Sequence, residues 1–474
     1  MRKLSWLPLI VLSIAQFMVV LDVTIVNVAL PRIQADLAFT SDGLQWVVSA
    51  YTLAFGGFLL LGGRVADLFG RRAVFLVGMG LFAGASLLAG FSSSSTMLIG
   101  ARSLQGFGGA LLSPAALALL AVAYAKGRER NSALGVWGAL AGLGGTLGLV
   151  IGGFLVDSVG WESVFFVNVP IGAALIAAAP RVIAESRLEV AERGFDLPGA
   201  LLGTGGVLAL VFGVVRAQPL GWGSLEVAGS LAAGAVMLAA FVFVESRSPS
   251  PLVPMRLFES RALRTGSLAL ALNGAAFLTM FFLTALFMQQ VRGDSALSTG
   301  VQLLPMGFAA VLAAVAVSRV VTTVGTRPVQ LAGAALSVAG LLLISGIDAH
   351  SSYLTGMLPG FIVFGAGILS IGIPAQISAV SEFSHGDAGS ASALVTAGYQ
   401  VGGALGLALI STLVSTQVAN SLADGKALPE ALASGYHAGI IVAAAFAAVN
   451  LAVALVSPGI TPDPEQLVEA AATA

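Results

Sequence analysis

Apolar residues in this chain come in runs of roughly twenty, separated by short polar segments. Fourteen such runs lie at 7–30, 44–64, 73–91, 97–122, 132–155, 163–183, 197–215, 225–244, 264–289, 297–319, 328–347, 353–379, 389–415 and 437–457. About twenty apolar residues in a helix cross the hydrocarbon core of a bilayer. Lipid offers no partner to an unpaired backbone group, so each run is expected to be helical. The first run is too long for a signal-peptide core and lacks a small-residue cleavage site, so it is expected to stay as a helix. The pattern predicts an all-α polytopic membrane protein.

Basic residues orient these runs. Arg2, Lys3, Arg64, Arg71, Arg72, Lys126, Arg128, Arg130, Arg181, Arg187, Arg193, Arg247, Arg256, Arg261, Arg264, Arg319 and Arg327 fall on one side, and Arg32, Arg216, Arg292 and Lys426 on the other. The asymmetry of 17 to 4 makes the first side cytoplasmic and puts both termini there. The expected location is a bacterial inner (cytoplasmic) membrane, with membrane lipids as neighbours.

Composition narrows the function. Charged residues make up 9% and hydrophobic residues 57%, with a mean hydropathy of +0.96, far from the globular average. A net charge of −1 gives no sign of nucleic-acid binding. There is no cysteine, and His350, His385 and His437 fall in loops or helix ends and form no ligand pair. No H-E-x-x-H occurs, nor a G-x-x-x-x-G-K-[ST] around Lys3, Lys126 or Lys426. A membrane enzyme or a nucleotide-driven pump is therefore disfavoured. No cofactor or metal is expected, and a monomer suffices.

Of the 23 acidic residues, Asp22 is the one that no membrane surface or loop accommodates. A charge at that depth costs roughly 2.5 to 3.5 kcal/mol even on lenient insertion scales, and such groups are usually functional. Asp22 is expected to be a proton site; the alternative is a carboxylate that only fixes helix packing. Arg102 lies about five residues inside the outer end of the fourth run, and Asp22 eight residues before the outer end of the first. At 1.5 Å per residue the depths are about 7 and 12 Å, a gap an arginine can span. A buried pair and an Arg102 that snorkels to the outer interface compete evenly.

The chain also repeats itself. GRVADLFGRR at 63–72 resembles SRVVTTVGTR at 318–327, with Arg64, Val65, Gly70 and Arg72 matching Arg319, Val320, Gly325 and Arg327 at an offset of 255 (319 − 64). GGTLGL at 144–149 resembles GGALGL at 402–407 at an offset of 258 (402 − 144). Both pair a run with the one eight later. That displacement fits two six-helix bundles, 1–184 and 263–460, with an extra helix pair in 185–262 and a tail at 461–474. Parallel halves with a site at their interface are a secondary-transporter plan.

These residues carry a resemblance. The 21–31 stretch, with Asp22 followed by TIVNVALP, the loop Gly63, Asp67, Gly70, Arg71 and Arg72, the set Arg102, Gln105, Gly106 and Gly109, the glycines Gly144, Gly148, Gly152 and Gly153, and NVPIG at 168–172 are together similar to the major facilitator superfamily. Within it they resemble the fourteen-helix drug:proton antiporters. The resemblance implies a 6+2+6 major facilitator fold and proton-coupled multidrug or antibiotic efflux by alternating access. It also implies a conformational latch in which Asp67 meets the start of the thirteenth helix near Gly389. The C-terminal copy has Thr322 in place of Asp67, so that latch is one-sided. Leu149 stands where the antiporter signature usually has proline, and WESVFF at 161–166 lacks the usual tryptophan and arginine richness. A symporter, or an exporter of one endogenous metabolite, is the alternative within the same fold.

The glycines at every fourth position also permit close helix approach with no coupling role. Candidate cavity residues are Met18 and Asn27, with Ala15, Val26 and Ala29 near them, then Gln105, Asn168, Asn273, Phe277, Met280, Phe281, Tyr399 and Gln400. Taken singly, each aromatic serves equally well in packing. Such a lining with one acid suits lipophilic neutral or monocationic compounds, exchanged for protons and needing no nucleotide.

Overall fold

The computed structural model describes residues 6–124, 128–187, 196–248, 251, 253–348, 351–383 and 385–460. Arg2, Lys3, Lys126, Arg193, His350 and the 461–474 tail, named above, lie outside them. Among the described residues the structure is helical, without strands. The long helices are α1 (Trp6–Asp36), α2 (Trp46–Phe69), α3 (Arg71–Gly90), α4 (Ser95–Ala123), α5 (Arg128–Ser158), α6 (Asn168–Val182), α7 (Leu197–Leu220), α8 (Leu225–Glu245), α9 (Arg261–Leu286), α10 (Ala296–Val324), α11 (Thr326–Ser345), α12 (Leu358–Val380), α13 (His385–Ala423) and α14 (Leu428–Val456). A turn at Ser163–Phe166 leads into α6, and a wider turn at Phe287–Val291 prolongs α9.

Local chemistry sets several ends. The side chains of Ser94, Asp196, Ser224, Ser260 and Ser295 each accept from a backbone N–H one turn on, satisfying a donor the helix cannot. Gly70 (φ +107°) and Gly325 (φ +84°) are the whole connection between α2 and α3 and between α10 and α11. Only glycine takes that left-handed backbone at no steric cost.

Twelve helices among the described residues are long and apolar enough to cross a membrane. A thirteenth is counted if the bent pair Trp46–Leu59 and Leu61–Phe69, at 50°, is one span. Among the described residues α5 contributes the shorter apolar segment Leu147–Ser158. The helices also outrun the apolar runs. α1 continues through Pro31 to Asp36, so Asp22 lies 14 residues from its end (36 − 22) rather than eight, near mid-helix.

Packing repeats with a shift of eight helices. α1 packs on α4, α5 and α6, while α2 and α3 pack on α4, and α3 on α6. In the same way α9 packs on α12, α13 and α14, α10 and α11 on α12, and α11 on α14. α5 meets α10 and α2 meets α13. The α7–α8 pair rests through α7 on α2 and α13. Backbone collisions repeat in register: a Cβ on Gly106 would strike the Tyr51 carbonyl, and one on Gly365 that of Met306. The offsets are 259 (365 − 106) for α4 to α12 and 255 (306 − 51) for α2 to α10.

The two ends of the molecule differ. At the end away from most arginines, one continuous core joins Ile25, Leu30 and Val156 to Phe282, Met288, Ala296 and Ile440. There the Gln289 amide donates to the Val28 carbonyl (3.0 Å), the Gln290 amide to Gln34 (2.7 Å), and Leu297 N to the Asp157 carboxylate (2.8 Å). At the arginine-rich end the cores are separate: one holds Leu9, Leu12, Val74, Leu119 and Ile183, the other Leu257, Leu263, Ala375, Val395 and Val453.

Candidate functional site

Asp22 lies on α1 beside Met18 and Ala15, on a face that turns into the first helix group, and is fully buried. An ionised carboxylate there loses several kcal/mol of hydration and needs charge and hydrogen bonds in return. α4 supplies them on one face, since residues three apart in a helix are neighbours. One Arg102 terminal nitrogen donates to Asp22 Oδ2 at 2.5 Å and also to Gln105 Oε1 at 2.7 Å. Gln105 Nε2 donates to Asp22 Oδ1 at 2.6 Å and to Ser86 Oγ at 2.8 Å. Asn168 Nδ2, from the start of α6, donates to the same Oδ1 at 2.9 Å.

Arg102 is held from three sides. Its Nε donates to the Val47 carbonyl at 2.9 Å, and its guanidinium stands 4.3 Å from the Tyr51 ring centroid and 5.8 Å from that of Phe165. It is 1% exposed, so the snorkelling alternative does not describe this conformation. Charge-assisted bonds of this kind are about twice as strong as neutral ones. Tyr51, Ser86, Phe165 and the Val47 carbonyl gave no signal in the sequence, being ordinary apolar-run residues until α2, α3 and the Ser163–Phe166 turn are brought onto α4.

The glycine stripe serves this site by proximity. Added Cβ atoms at Gly144 and Gly152 would lie 2.8 Å from the Phe17 carbonyl and 2.6 Å from Ile25 Cγ1, and one at Gly148 would collide with Thr24 Oγ1. α5 thus lies against the α1 turns that flank Asp22. Gly153 faces elsewhere, 2.5 Å from Leu297 Cα of α10.

The equivalent place in the second helix group carries no charge. Gly144 meets Phe17 and Gly402 meets Ala271, an offset of 254 (271 − 17) from α1 to α9. Applying 254, 259 and 255 to α1, α4 and α3 makes Ala276 the counterpart of Asp22, Phe361 of Arg102, Phe364 of Gln105 and Leu341 of Ser86. All four are buried in one apolar core.

In the loop between α2 and α3, Asp67 is held by Arg71, four residues on. Both Nε and Nη2 of Arg71 donate to Asp67 Oδ1, at 2.9 and 2.8 Å. Glu185, which sequence reasoning passed over, accepts from the N–H groups of Arg72 (3.0 Å) and Ala73 (3.2 Å) at the start of α3. An anion there opposes the positive helix end. Arg71 N donates to the Ser186 carbonyl at 2.9 Å, and Thr326 N, its repeat, to that of Ile460 at 2.8 Å. Gly63 lies 3.7 Å, from its added Cβ, to Pro114 of α4. The α13 start near Gly389 has no described side chains from 384 to 390.

The cavity candidates separate. Met18, Asn27, Gln105, Asn168, Asn273 and Phe281 are buried, with Gln105 and Asn168 spent on Asp22. Asn27 donates to the Val23 carbonyl and Asn273 to that of Ile368, each leaving its Oδ1 buried without a partner. Phe277, Tyr399 and Gln400 are half-buried. So are Gln16, Val20, Val23, Phe58, Phe107 and Ser113. Gln16 accepts from Ser113 at 2.9 Å, and the rings of Phe58 and Phe107 meet edge to face at 5.0 Å.

Two helix groups that repeat one packing scheme, the first of them holding a buried ion pair, make up a polytopic membrane protein. The chain belongs to the Major Facilitator Superfamily, whose profile matches residues 12–407, and it is a transporter rather than an enzyme. It is 40% identical over 402 residues to the cephamycin export protein CmcT of Amycolatopsis lactamdurans, covering 84% of this chain and 83% of that one. It is 39% identical over 405 residues to the puromycin resistance protein pur8 of Streptomyces alboniger, covering 85% and 80%. Its fold matches a bacterial homologue of the human lysosomal transporter Spinster with a TM-score of 0.66, at 15% identity and coverages of 96% and 98%.

Proposed function

We propose that this protein is a proton-coupled efflux antiporter for antibiotics and other lipophilic drugs, with Asp22 as the proton site and Arg102 as its counter-ion. The observation that carries the reading is the fully buried Asp22–Arg102 pair, in a chain whose relatives are named for antibiotic export and resistance. When Asp22 is protonated it loses the attraction that holds Arg102, and the surrounding bonds must rearrange. Coupling needs nothing more than the proton gradient, and no cofactor.

In this reading α2 and α5 complete fourteen spans as 6+2+6. Residues 1–184 and 263–460 rock about each other, and the α7–α8 pair of 185–262 braces them. The arginine-rich end faces the cytoplasm by the positive-inside rule, and in this reading the protein sits in a bacterial inner membrane with both termini inside. The merged core then closes the outside and the separate cores open inward. The half-buried Val20, Phe58, Phe107, Phe277, Tyr399 and Gln400 form the walls offered to substrate. The protein acts as a monomer.

The test is dye accumulation in cells of a pump-deficient host. Wild type should lower it, an uncoupler should abolish the difference, and Asp22→Asn should insert normally yet fail. Full export by Asp22→Asn would require another proton carrier and would end the reading. Export confined to one compound in a drug panel would favour a dedicated metabolite exporter, as the name of the cephamycin relative allows.

A further inference from the structure

Every polar partner of Asp22 is a donor. Oδ2 receives Arg102, while Oδ1 receives Gln105 Nε2 and Asn168 Nδ2. That shell suits a carboxylate. A carboxylic acid must itself donate one bond, and in this shell its O–H has nowhere to point. Since a buried donor without an acceptor is costly, one neighbour must change role each time the proton arrives.

Arg102 has no acceptor to offer. Gln105 Oε1 already accepts from Arg102, and its Nε2 also serves Ser86, so turning its amide would break bonds on both sides. Ser86 Oγ is engaged with Gln105 and with the Phe82 carbonyl at 2.8 Å. The Tyr51 hydroxyl is also buried without a partner, but it lies toward Gly109 and makes no hydrogen bond to Asp22. Asn168 is different. It is fully buried, its amide donates to Asp22, and its Oδ1 has no partner. A half-turn about the last side-chain torsion exchanges Nδ2 for Oδ1 in nearly the same volume, and that torsion is broad and roughly two-fold.

We propose that Asn168 is a positioning residue for the coupling step: its amide donates to ionised Asp22 and turns over to accept from protonated Asp22. This rests on Asp22 being the proton site. The titratable groups that face Asp22 are Arg102 of α4 and Tyr51 of α2; α3, α5 and α6 present Ser86, glycines and Asn168, none of which titrates. No covalent step is involved, only a proton reaching an Asp22 oxygen and a hydrogen bond reversing direction. Because Asn168 opens α6 two residues before Pro170, the reversal ties the charge of Asp22 to the first turn of that helix.

The test is infrared difference spectroscopy of the purified full chain in liposomes, stepping pH with no drug present. Protons are then the only probe. Wild type should show a protonated-carboxyl C=O band that Asp22→Asn lacks. Asn168→Leu should move that band to the higher frequency of an acid without an acceptor. Wild type carrying asparagine labelled with ¹³C at the side-chain carbonyl should show an isotope-shifted asparagine feature that rises with the Asp22 band and is absent in Asp22→Asn. This second measurement needs no variant of Asn168 to fold. An Asp22 band with no accompanying asparagine feature, or one that Asn168→Leu leaves in place, overturns the switch while keeping Asp22 as the proton site. No Asp22 band in wild type overturns the coupling reading itself, and the switch with it.

Discussion

Gly144 and Gly145 are adjacent on α5, yet alanine should affect them oppositely. A Cβ at Gly144 would sit 2.8 Å from the Phe17 carbonyl oxygen and 3.3 Å from Phe17 Cδ2, against 3.4 Å for ordinary contact. α1 would have to retreat by about 0.6 Å at a backbone atom, which no rotamer change can relieve; overpacking of this kind costs roughly 1 to 3 kcal/mol. At Gly145 the nearest atom is Val20 Cγ1 at 3.7 Å, an ordinary contact. Both variants gain the same helix propensity, about 0.8 to 1 kcal/mol, so it cancels in the comparison. Gly145→Ala should therefore be more stable than Gly144→Ala by about 1 to 3 kcal/mol, read from unfolding midpoints in mixed detergent micelles. Gly144→Ala should also export less, because the displaced turn of α1 precedes Asp22. Equal stability of the two variants would refute the close α1–α5 approach.

Three further outcomes are expected. Asp157→Ala removes the carboxylate that accepts from Leu297 N across the outer seam; helix-end caps contribute about 0.5 to 2 kcal/mol, so labelling of cysteines introduced along that seam should rise, and unchanged labelling would remove Asp157 from the closure. Asp67→Asn should leave drug binding nearly intact and raise cytoplasmic cysteine labelling, because it removes the contact proposed for the other state; no change would exclude the latch. In the proposed cycle Asp22 alone carries one proton in per substrate, so neutral lipophiles should draw on the full proton gradient. At about 100 mV and one pH unit that is about 3.7 kcal/mol, near 500-fold. Monocations should feel the pH gradient alone and rigid dications should be exported poorly. Proteoliposomes with the two gradients imposed separately would reveal a second acid if dications moved well on pH alone.

The helical membrane class, the eight-helix shift and the candidacy of Asp22 and Arg102 were legible because each rests on spacing or on the cost of charge in lipid. Asn168 and Gln105 were legible as unusual residues but not as partners of Asp22, since their roles depend on how α4 and α6 rotate onto α1. Glu185 was invisible: an acid just after a helix looks solvated until the chain returns to the start of α3. The length of α1 was not legible, because apolar runs end before helices do and α1 continues through Arg32 to Asp36.

The aromatic counterparts Phe361 and Phe364 give the transporter a mechanical asymmetry. In the proposed cycle, protonation of Asp22 leaves Arg102 as an uncompensated positive charge within the first bundle, while the equivalent place in the second bundle stays neutral. A transmembrane voltage then exerts force on one bundle only, up to about 2.3 kcal/mol per 100 mV if that charge traverses the whole field. With the cell interior negative, the loaded first bundle is pulled inward against a passive partner. Voltage would thus act as a directional spring on the return stroke, visible as a transient current that wild type shows only once Asp22 is protonated and that Asp22→Asn, neutral at every pH, shows throughout.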